Sequence, residues 1–392
     1  MAGGGPLARL EAVPPRSKEG STVFVALRDL RFAKGRFTLM GAVVALLTGL
    51  VLFLYGLTGG LASDSTSALT GLPARDVVFG GPAVSFSDSA ISPGQQAAWQ
   101  AAAGARPFGV SMTRLAAADA TSVSVVGVAP TLAPPLLSGH APGPGEVAVG
   151  AKLAAGHALH LGQQVSLGAA RLTVSGITPN RSWGHAPTVW TDEPTWQHVA
   201  GATQPVALLV DQAGTEAGTE PGTEAGTKVG TEPGTEPDAK ALDAAQHTKT
   251  VTLAAAEAGI DGYSAEQGSL TMIQLFLFAI SALVAGAFFT VWTVQRKADI
   301  AVLKAIGASS AYLVRDALGQ ALILLLTGGA LGAAAGAVGG TLLRGSGTPF
   351  ALDPATVAVP LAAMVVLGLA GAALAVRRIV TVDPLTALGA SR

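Results

Sequence analysis

Two short segments of the sequence carry side chains whose types and spacing suit binding chemistry or mechanical coupling. In the first segment, Tyr263 and Glu266 lie three positions apart, so a continuous helix presents the phenol and the carboxylate on one face. Both residues come directly before an uncharged stretch that begins at Gln267. One interpretation is a binding site at a membrane boundary. The other is structural, because tyrosine is frequent at membrane interfaces and glutamate is favourable at a helix N-terminus.

The second segment, residues 295–309, has the pattern of a short amphipathic helix. Ile300, Leu303 and Ile306 fall near one helical face. Gly307 supplies a helix stop and Ser309 can cap the helix that follows. A permease needs such a helix where it docks into a separate motor subunit. The alternative is a helix that only rests on the bilayer surface.

Patterns for catalysis and nucleotide binding are absent from the sequence. It contains no Gly-x-x-x-x-Gly-Lys-Ser/Thr phosphate loop, so it has no evident means of hydrolysing ATP. Neither paired carboxylates nor a Ser–His–Asp set can be argued from spacing. The six histidines lack a metal-binding motif and are expected to be surface or turn residues: His140, His157, His160, His185, His198 and His247. The sequence thus predicts a protein that is not an enzyme, and no nucleic-acid partner is expected.

Four long stretches without a charged residue indicate an integral membrane protein. They cover residues 37–63, 267–295, 317–343 and 354–376, and each exceeds the roughly 20 apolar residues that cross a hydrocarbon core of about 30 Å. Lys and Arg cluster before the first stretch, between the second and third, and after the fourth, with Arg344 as the exception. This asymmetry predicts that the N- and C-termini are cytoplasmic. The predicted fold class is a multi-pass protein of the cell (cytoplasmic) membrane with four transmembrane α-helices and a large α+β extracytoplasmic domain between helices 1 and 2.

The expected organisation follows the changes in composition along the chain. We expect a disordered cytoplasmic tail at 1–20, an amphipathic interfacial helix at 21–38, transmembrane helices at 39–61, 263–294, 317–343 and 355–376, an extracytoplasmic α+β domain at 62–262, a cytoplasmic coupling loop at 295–316 and a cytoplasmic tail at 377–392. Inside the domain, residues 214–237 repeat Gly-Thr-Glu and are expected to form a flexible insertion. The absence of cysteine excludes disulfides.

Finer patterns predict individual elements. Short β-branched runs bounded by Gly and Pro predict strands at 77–79, 121–128, 145–149, 164–167 and 171–177, with short helices at 93–103 and 150–157. Gly328, Gly332, Gly336 and Gly340 recur every four residues. They give one smooth helix face, which predicts close packing against a partner helix.

The loop at 295–309, with its run Leu303-Lys304-Ala305-Ile306-Gly307-Ala308, resembles the signature of the FtsX/MacB-like permeases of ABC transporters. The ending Val382-Asp383-Pro384-Leu385-Thr386-Ala387-Leu388-Gly389 is similar to the C-terminal tail of that family. The order of one span, a large outer domain and three further spans also matches. Within the family the chain looks most like the permeases of haem exporters, in residues 27–37, 145–155, 174–177, 184–185, 263–267 and 288–289. It departs from that type at Trp183, where the type has a tyrosine, and in the Gly-Thr-Glu insertion.

The resemblance implies a homodimer in the lipid bilayer, bound to two copies of a separate ABC ATPase subunit that holds the ATP. The coupling residues that it implies are Ile300, Leu303, Lys304, Ile306 and Gly307. Its implied substrate is haem, with no permanently bound cofactor and no metal other than the haem iron.

The same resemblance implies candidate residues for haem binding. Tyr263 or Glu266 would ligate ferric iron as a hard oxygen ligand. Trp183, which cannot ligate iron, would stack on the porphyrin, and His185 completes the candidates. Two other functions stay open: the same machinery with a peptide, lipid or antibiotic as cargo, and a mechanical signaller that regulates an external cell-wall hydrolase. A haem pocket between two protomers favours the first function, and a protein docked on the outer domain favours the last.

Overall fold

The structure, a computed structural model, describes residues 34–116, 119–211, 239–296, 302–304, 306–345 and 347–380. The predicted tail at 1–20, the insertion at 214–237, Ile300 and the ending at 381–392 lie outside the described residues.

Helices and strands alternate in the middle of the chain, whereas the described residues before and after this part are mainly helical. The helices are α1 (Lys34–Thr70), α2 (Pro93–Ala103), α3 (Ala151–Gly156), α4 (Glu193–Ala200), α5 (Ala239–Gln246), α6 (Leu253–Ala256), α7 (Tyr263–Gln295), α8 (Ser310–Gly345) and α9 (Pro354–Val380). The strands are β1 (Ala74–Phe79), β2 (Arg106–Ala116), β3 (Ala120–Val128), β4 (Ser138–Gly139), β5 (Glu146–Gly150), β6 (Gln164–Leu167), β7 (Ala170–Thr178), β8 (Ser182–Trp183), β9 (Ala186–Thr191), β10 (Ala207–Asp211) and β11 (Lys249–Thr252).

Four of the described helices are long and apolar enough to cross a membrane: Thr38–Thr70 in α1, Tyr263–Gln295, Ser310–Gly345 and Pro354–Val376 in α9. The α+β sheet domain lies between the first and second of them. The predicted fold class, four transmembrane helices with an α+β domain between helices 1 and 2, is confirmed. The helix α1 has 37 residues, so at 1.5 Å per residue it is about 55 Å long and exceeds the hydrocarbon thickness.

The described residues form two compact units, of which the first is made of helices. It comprises the described parts of Met1–Tyr55, Gln274–Leu342 and Leu352–Arg392. Its apolar core takes side chains from all four long helices, including Met40, Val44, Phe289, Trp292, Leu324 and Ala372. Because buried and lipid-facing side chains are both apolar here, composition alone does not reveal this core.

The predicted glycine face of α8 packs against α1. A Cβ at Gly332 would overlap the carbonyl oxygen of Ala45 and lie 2.9 Å from the backbone nitrogen of Gly49. At Gly328 it would lie 3.0 Å from the carbonyl oxygen of Gly41. The partner helix that the glycine spacing predicts is therefore α1 of the same chain, and the two backbones approach too closely for side chains.

Capping residues set where α8 and α9 begin. The amide of Tyr312 donates to Ser309 Oγ at 3.3 Å, which agrees with the predicted cap. Before α9, the Asp353 carboxylate accepts from the amide of Thr356 at 2.9 Å and from its hydroxyl at 2.7 Å. These hydrogen bonds lower the pKa of Asp353 and satisfy donors that a helix start leaves open.

The second unit, Gly56–Ile273 with Leu343–Ala351, contains the sheet. The strand order is β11-β1-β10-β2-β3-β9-β5-β7-β4, and β8 pairs with β9. Since β6 pairs with both β7 and β2, the strands β2, β3, β9, β5, β7 and β6 close a ring. Each of these six strands contributes to one apolar cluster, through Leu115, Val125, Val189, Val149, Val174 and Val165. This apolar cluster thus lies inside the closed ring of strands, where alternate side chains of each strand point inward.

A second cluster lies beside this ring and includes the end of α1. Leu69 is buried there together with Val77 of β1, Phe108 of β2 and Leu209 of β10. The strand β1 pairs with β10 on one side and β11 on the other, both antiparallel. The end of α1 is therefore part of the core of the sheet unit.

Candidate functional site

A two-residue hairpin between β8 and β9 presents a histidine next to the end of α1. Ser182 pairs with Pro187 and Trp183 with Ala186. The loop residues Gly184 and His185 both have positive φ, 54° and 64°, as a type I′ hairpin requires. Glycine adopts this conformation freely, and histidine does so more readily than most residues.

Hydrogen bonds fix this hairpin against α1. The amide of Gly184 donates to the carbonyl of Ser65 at 2.9 Å. The amide of Ser182 donates to the hydroxyl of Ser67, also at 2.9 Å. Arg181 Nη1 donates to the carbonyl of Ser67 at 3.3 Å. The tip of the hairpin therefore has a defined position beside the last turns of α1.

The His185 imidazole lies between two carboxylates that belong to different helices. Its Nδ1 is 3.3 Å from Asp64 Oδ2 of α1, and its Nε2 is 3.0 Å from Glu266 Oε2 of α7. Partial burial disfavours the charged ring, but the hydrogen bonds and charges of Glu266 and Asp64 outweigh it and raise the pKa of His185. The three side chains, called here the acid–histidine cluster, connect the facing ends of α1 and α7 within the sheet unit.

Tyr263 lies one helical turn from Glu266 but has a different partner. Its hydroxyl donates to Glu257 Oε2 at 2.8 Å, and its ring packs against the apolar cluster that contains Leu69. Glu257 lies in a 3₁₀ turn just before α7. The phenol is therefore held in its protonated form as a donor to a carboxylate.

Trp183 directly precedes the hairpin loop but is buried in the same apolar cluster as Leu69, against which Tyr263 packs. Its side chain is only 6% exposed. Its ring centroid is 4.7 Å from that of Phe86 and 5.7 Å from that of Phe108. Both packing partners are aromatic residues of the core, so the expectation that Trp183 stacks on a ligand does not agree with its burial.

The predicted coupling residues form one turn of helix followed by a stop. Val302 accepts from the amide of Ile306 at 3.1 Å, and Lys304 accepts from that of Gly307 at 3.0 Å. Gly307 has φ 98°, a conformation that ends helices. Val302, Leu303 and Ile306 are exposed, Ile306 by 76%. Leu303, Ile306 and Gly307 therefore form an exposed apolar turn, and Ile300 lies outside the described residues.

The sequence interpretation missed Asp64 and Glu257 as members of this site. Asp64 is the first charged residue after the uncharged stretch 37–63, and Glu266 is the last before 267–295. Each acid therefore borders an uncharged stretch on the side of the domain between the first two spans. This shared position is a signal in the sequence that the two acids lie close together. Among the residues that the structure describes, no group of three or more His, Cys, Asp or Glu is arranged to hold a metal ion.

Four apolar helices of spanning length, with a sheet domain between the first and second and an exposed apolar turn between the second and third, define a multi-pass membrane protein. Comparison with known proteins adds a match to a family model. Residues 271–384 match the family model described as FtsX-like permease C-terminal. This part of the chain thus resembles an FtsX-like permease domain.

Full-length relatives extend this similarity to the whole chain. A protein of Staphylococcus epidermidis, provisionally named hemin transport system permease protein HrtB, is 25% identical over 370 residues, which are 93% of this chain and 99% of that protein. A protein of the same name from Staphylococcus haemolyticus is 25% identical over 371 residues, with the same coverage of both chains. An uncharacterized ABC transporter permease of Mycobacterium tuberculosis is 27% identical over 384 residues, 94% of this chain and 99% of that one.

A solved structure, the extracellular domain of the noncanonic ABC-type transporter YknZ from Gram-positive bacteria, matches 36% of this chain and 84% of its own length. The TM-score is 0.29 and the sequence identity 10%.

Proposed function

We propose that the chain is the permease subunit of an ABC exporter that moves haem or a similar hydrophobic compound and is driven by a separate ATPase subunit. The observation that carries this proposal is the similarity to relatives named for hemin transport, which extends over 99% of their length. The sequence has no phosphate loop of its own, so ATP hydrolysis belongs to a partner. In this proposal two copies of the chain assemble, and both termini are cytoplasmic.

The acid–histidine cluster and Tyr263 are the proposed haem site, with Glu266 as the ligand to iron. Glu266 Oε2 lies 3.0 Å from His185 Nε2 and would need only to exchange this partner for the metal. Tyr263 would first have to lose a proton beside the Glu257 carboxylate, and the two negative charges oppose each other. A carboxylate ligand with a neutral tyrosine beside it therefore has the lower electrostatic cost.

A second proposal keeps the permease and changes the cargo to a peptide, lipid or antibiotic. The mycobacterial permease, whose name states no substrate, is 27% identical to this chain, and the Staphylococcus epidermidis protein is 25% identical. In this second proposal the acid–histidine cluster would only connect the two helices.

The test combines Tyr263→Phe, which removes the hydroxyl, with Glu266→Gln, which keeps the shape and removes the charge. We expect the double variant to fold and assemble with its ATPase, yet to lose haem binding, measured by Soret absorbance, and to leave cells sensitive to haem. The single variant Glu266→Gln should lose most of the binding, because it removes the proposed iron ligand.

The matched control is Tyr312→Phe with Glu193→Gln, which makes the same chemical changes away from the cluster and should bind haem like the parent. Parent-like binding in the double variant at positions 263 and 266 would show that the site is assigned wrongly. A parent chain that never binds haem would show that the cargo is wrong.

A further inference from the structure

A glutamine lies buried in the helical unit, where its neighbours are almost all apolar. Gln320 of α8 is only 2% exposed. The adjacent Ala321 and, one turn on, Leu324 belong to the apolar cluster that also contains Trp292. Burying an amide costs free energy unless both of its ends are hydrogen-bonded. The partners of this side chain therefore determine what it does.

Both ends of the Gln320 amide are bonded, and to groups of opposite charge. Arg296 Nη1 donates to Gln320 Oε1 at 2.9 Å, and Gln320 Nε2 donates to Asp316 Oδ2 at 2.9 Å. Rotating the amide by half a turn would point its NH2 group at the guanidinium and its oxygen at the carboxylate, so only one orientation is favourable. Hydrogen bonds to charged groups are also the stronger kind.

The bond to Arg296 joins two helices at the base of the loop that connects them. Arg296 directly follows α7, whereas Gln320 and Asp316 lie one turn apart on α8. The guanidinium also lies 5.1 Å from the centroid of the Trp292 ring on α7, a cation–π distance. The exposed turn of Val302, Leu303 and Ile306 lies between Arg296 and Asp316 in the sequence. In the sequence, this network therefore flanks the turn on both sides.

We propose that Gln320 is a positioning residue that holds the end of α7 and the start of α8 together, so that a displacement of the exposed turn moves both helices. The inference rests on the proposed function, because the source of that displacement is the ATPase subunit. Without the bonded amide, the hydrogen bond that joins the end of α7 to α8 is lost, and part of each ATPase stroke is absorbed between the two helices.

The first variant is Gln320→Met, which keeps the length and apolar fit of the side chain but removes both hydrogen bonds. The matched control on the same helix is Thr327→Val, since the Thr327 hydroxyl bonds only to carbonyls of its own helix. In the full chain alone, we expect faster hydrogen exchange of residues 302–309 in the Met variant and unchanged exchange in the control. In the complex with its ATPase, we expect substrate moved per ATP hydrolysed to fall by about fivefold or more, while ATP hydrolysis continues.

A second pair of variants tests whether the oxygen of the Gln320 amide must accept from Arg296 while its NH2 group donates to Asp316. Gln320→Glu places a carboxylate against Asp316 and should weaken coupling at pH 8. Adding Asp316→Asn supplies an amide donor to that carboxylate while Arg296 keeps an acceptor, so the double variant should recover most of the loss. A merely structural glutamine would not give this recovery.

Two results would overturn the inference: unchanged exchange of residues 302–309 in Gln320→Met, or a double variant no better than Gln320→Glu. The exchange measurement needs no ATPase and no substrate. A parent complex that does not transport would therefore refute the proposed function, while the exchange data would still decide on Gln320.

Discussion

His185 occupies a backbone conformation with φ 64°, and its ring contacts Asp64 and Glu266 on two helices. A turn of this geometry would accept glycine or asparagine more easily. The imidazole adds what those residues lack, namely a proton that is gained and lost near neutral pH. The cluster therefore ties the ends of α1 and α7 with a strength that depends on pH.

The pH dependence has a definite sign. Since the folded state raises the pKa of His185 above its usual value, its contribution to stability is complete below the unfolded pKa of about 6.5 and is lost as pH rises through the folded value. In His185→Asn, which keeps the turn, the loss of thermal stability relative to the parent should be largest near pH 5.5 and shrink toward pH 9.

Thermal unfolding of the full chain in detergent, followed across that range, measures this difference. The exposed His160 provides the control, because His160→Asn should leave the pH dependence as in the parent. A stability difference between His185→Asn and the parent that grows with pH would contradict the electrostatic account of the cluster.

At the scale of elements, periodic patterns in the sequence predict helices and their faces. They do not predict which distant segments come into contact. The residue types of Ser92 and Pro93 are typical of a helix start. The structure confirms the helix at 93–103, and Ser92 forms a capping box with Gln95. The spacing of the α8 glycines likewise predicted a smooth face. Nothing in that spacing identifies α1 as the partner, because Gly41, Ala45 and Gly49 become neighbours of α8 only through the packing of the helices.

At the candidate site, too, the sequence does not predict contacts between distant segments. Local spacing predicts Tyr263 and Glu266 as site residues, but their partners Glu257 and His185 follow from tertiary contacts. The family resemblance implies Trp183 as a site residue, whereas its size and apolarity bury it among Phe86 and Phe108. Local patterns predict the face on which a residue lies, and the burial of large aromatic side chains decides which face becomes core.

The close contact of α8 and α1 gives a prediction at this scale. Gly332→Ala introduces a methyl group where the Ala45 carbonyl and the Gly49 backbone already lie, so the helices must separate. We expect a cost of about 1–3 kcal/mol, typical of overpacking, seen as a lower midpoint of thermal or denaturant unfolding. Gly319→Ala on the same helix meets no atom within 4 Å and should be neutral. Equal stability of the two variants would show that the contact is looser than described.

For the whole molecule, the long uncharged stretches sufficed to predict four membrane helices, because the length of an apolar run reports the bilayer directly. Arg344, the exception to the charge asymmetry, has a local partner: its Nε donates to the carbonyl of Phe350 at 2.6 Å. It stabilises the connection from α8 to α9 and so has a structural reason for its position. Oligomeric state and cargo depend on other molecules, which the sequence of one chain does not specify.

Dependence on a motor subunit is the prediction that belongs to the whole molecule. The chain alone should show no ATPase activity. With its ATPase, transport should collapse in Leu303→Asp or Ile306→Asp, because docking would bury a new charge. The conservative variants Leu303→Ile and Ile306→Leu keep the surface apolar and should behave like the parent. Assembly and turnover that do not change in either Asp variant would place the docking surface elsewhere.

The pairing of β1 has a consequence for the order in which the sheet unit folds during synthesis. The six strands of the ring lie within one continuous segment, from Arg106 in β2 to Thr191 in β9, so they can pair as soon as that segment is available. The strand β1 is made before all of them, yet its partners β10 and β11 begin only at Ala207 and Lys249. Chains are made from the N-terminus, and pairings between distant segments form slowly. The first strand to be synthesised is therefore among the last to be paired, and until Thr252 has emerged one edge of β1 stays open beside the C-terminal end of α1.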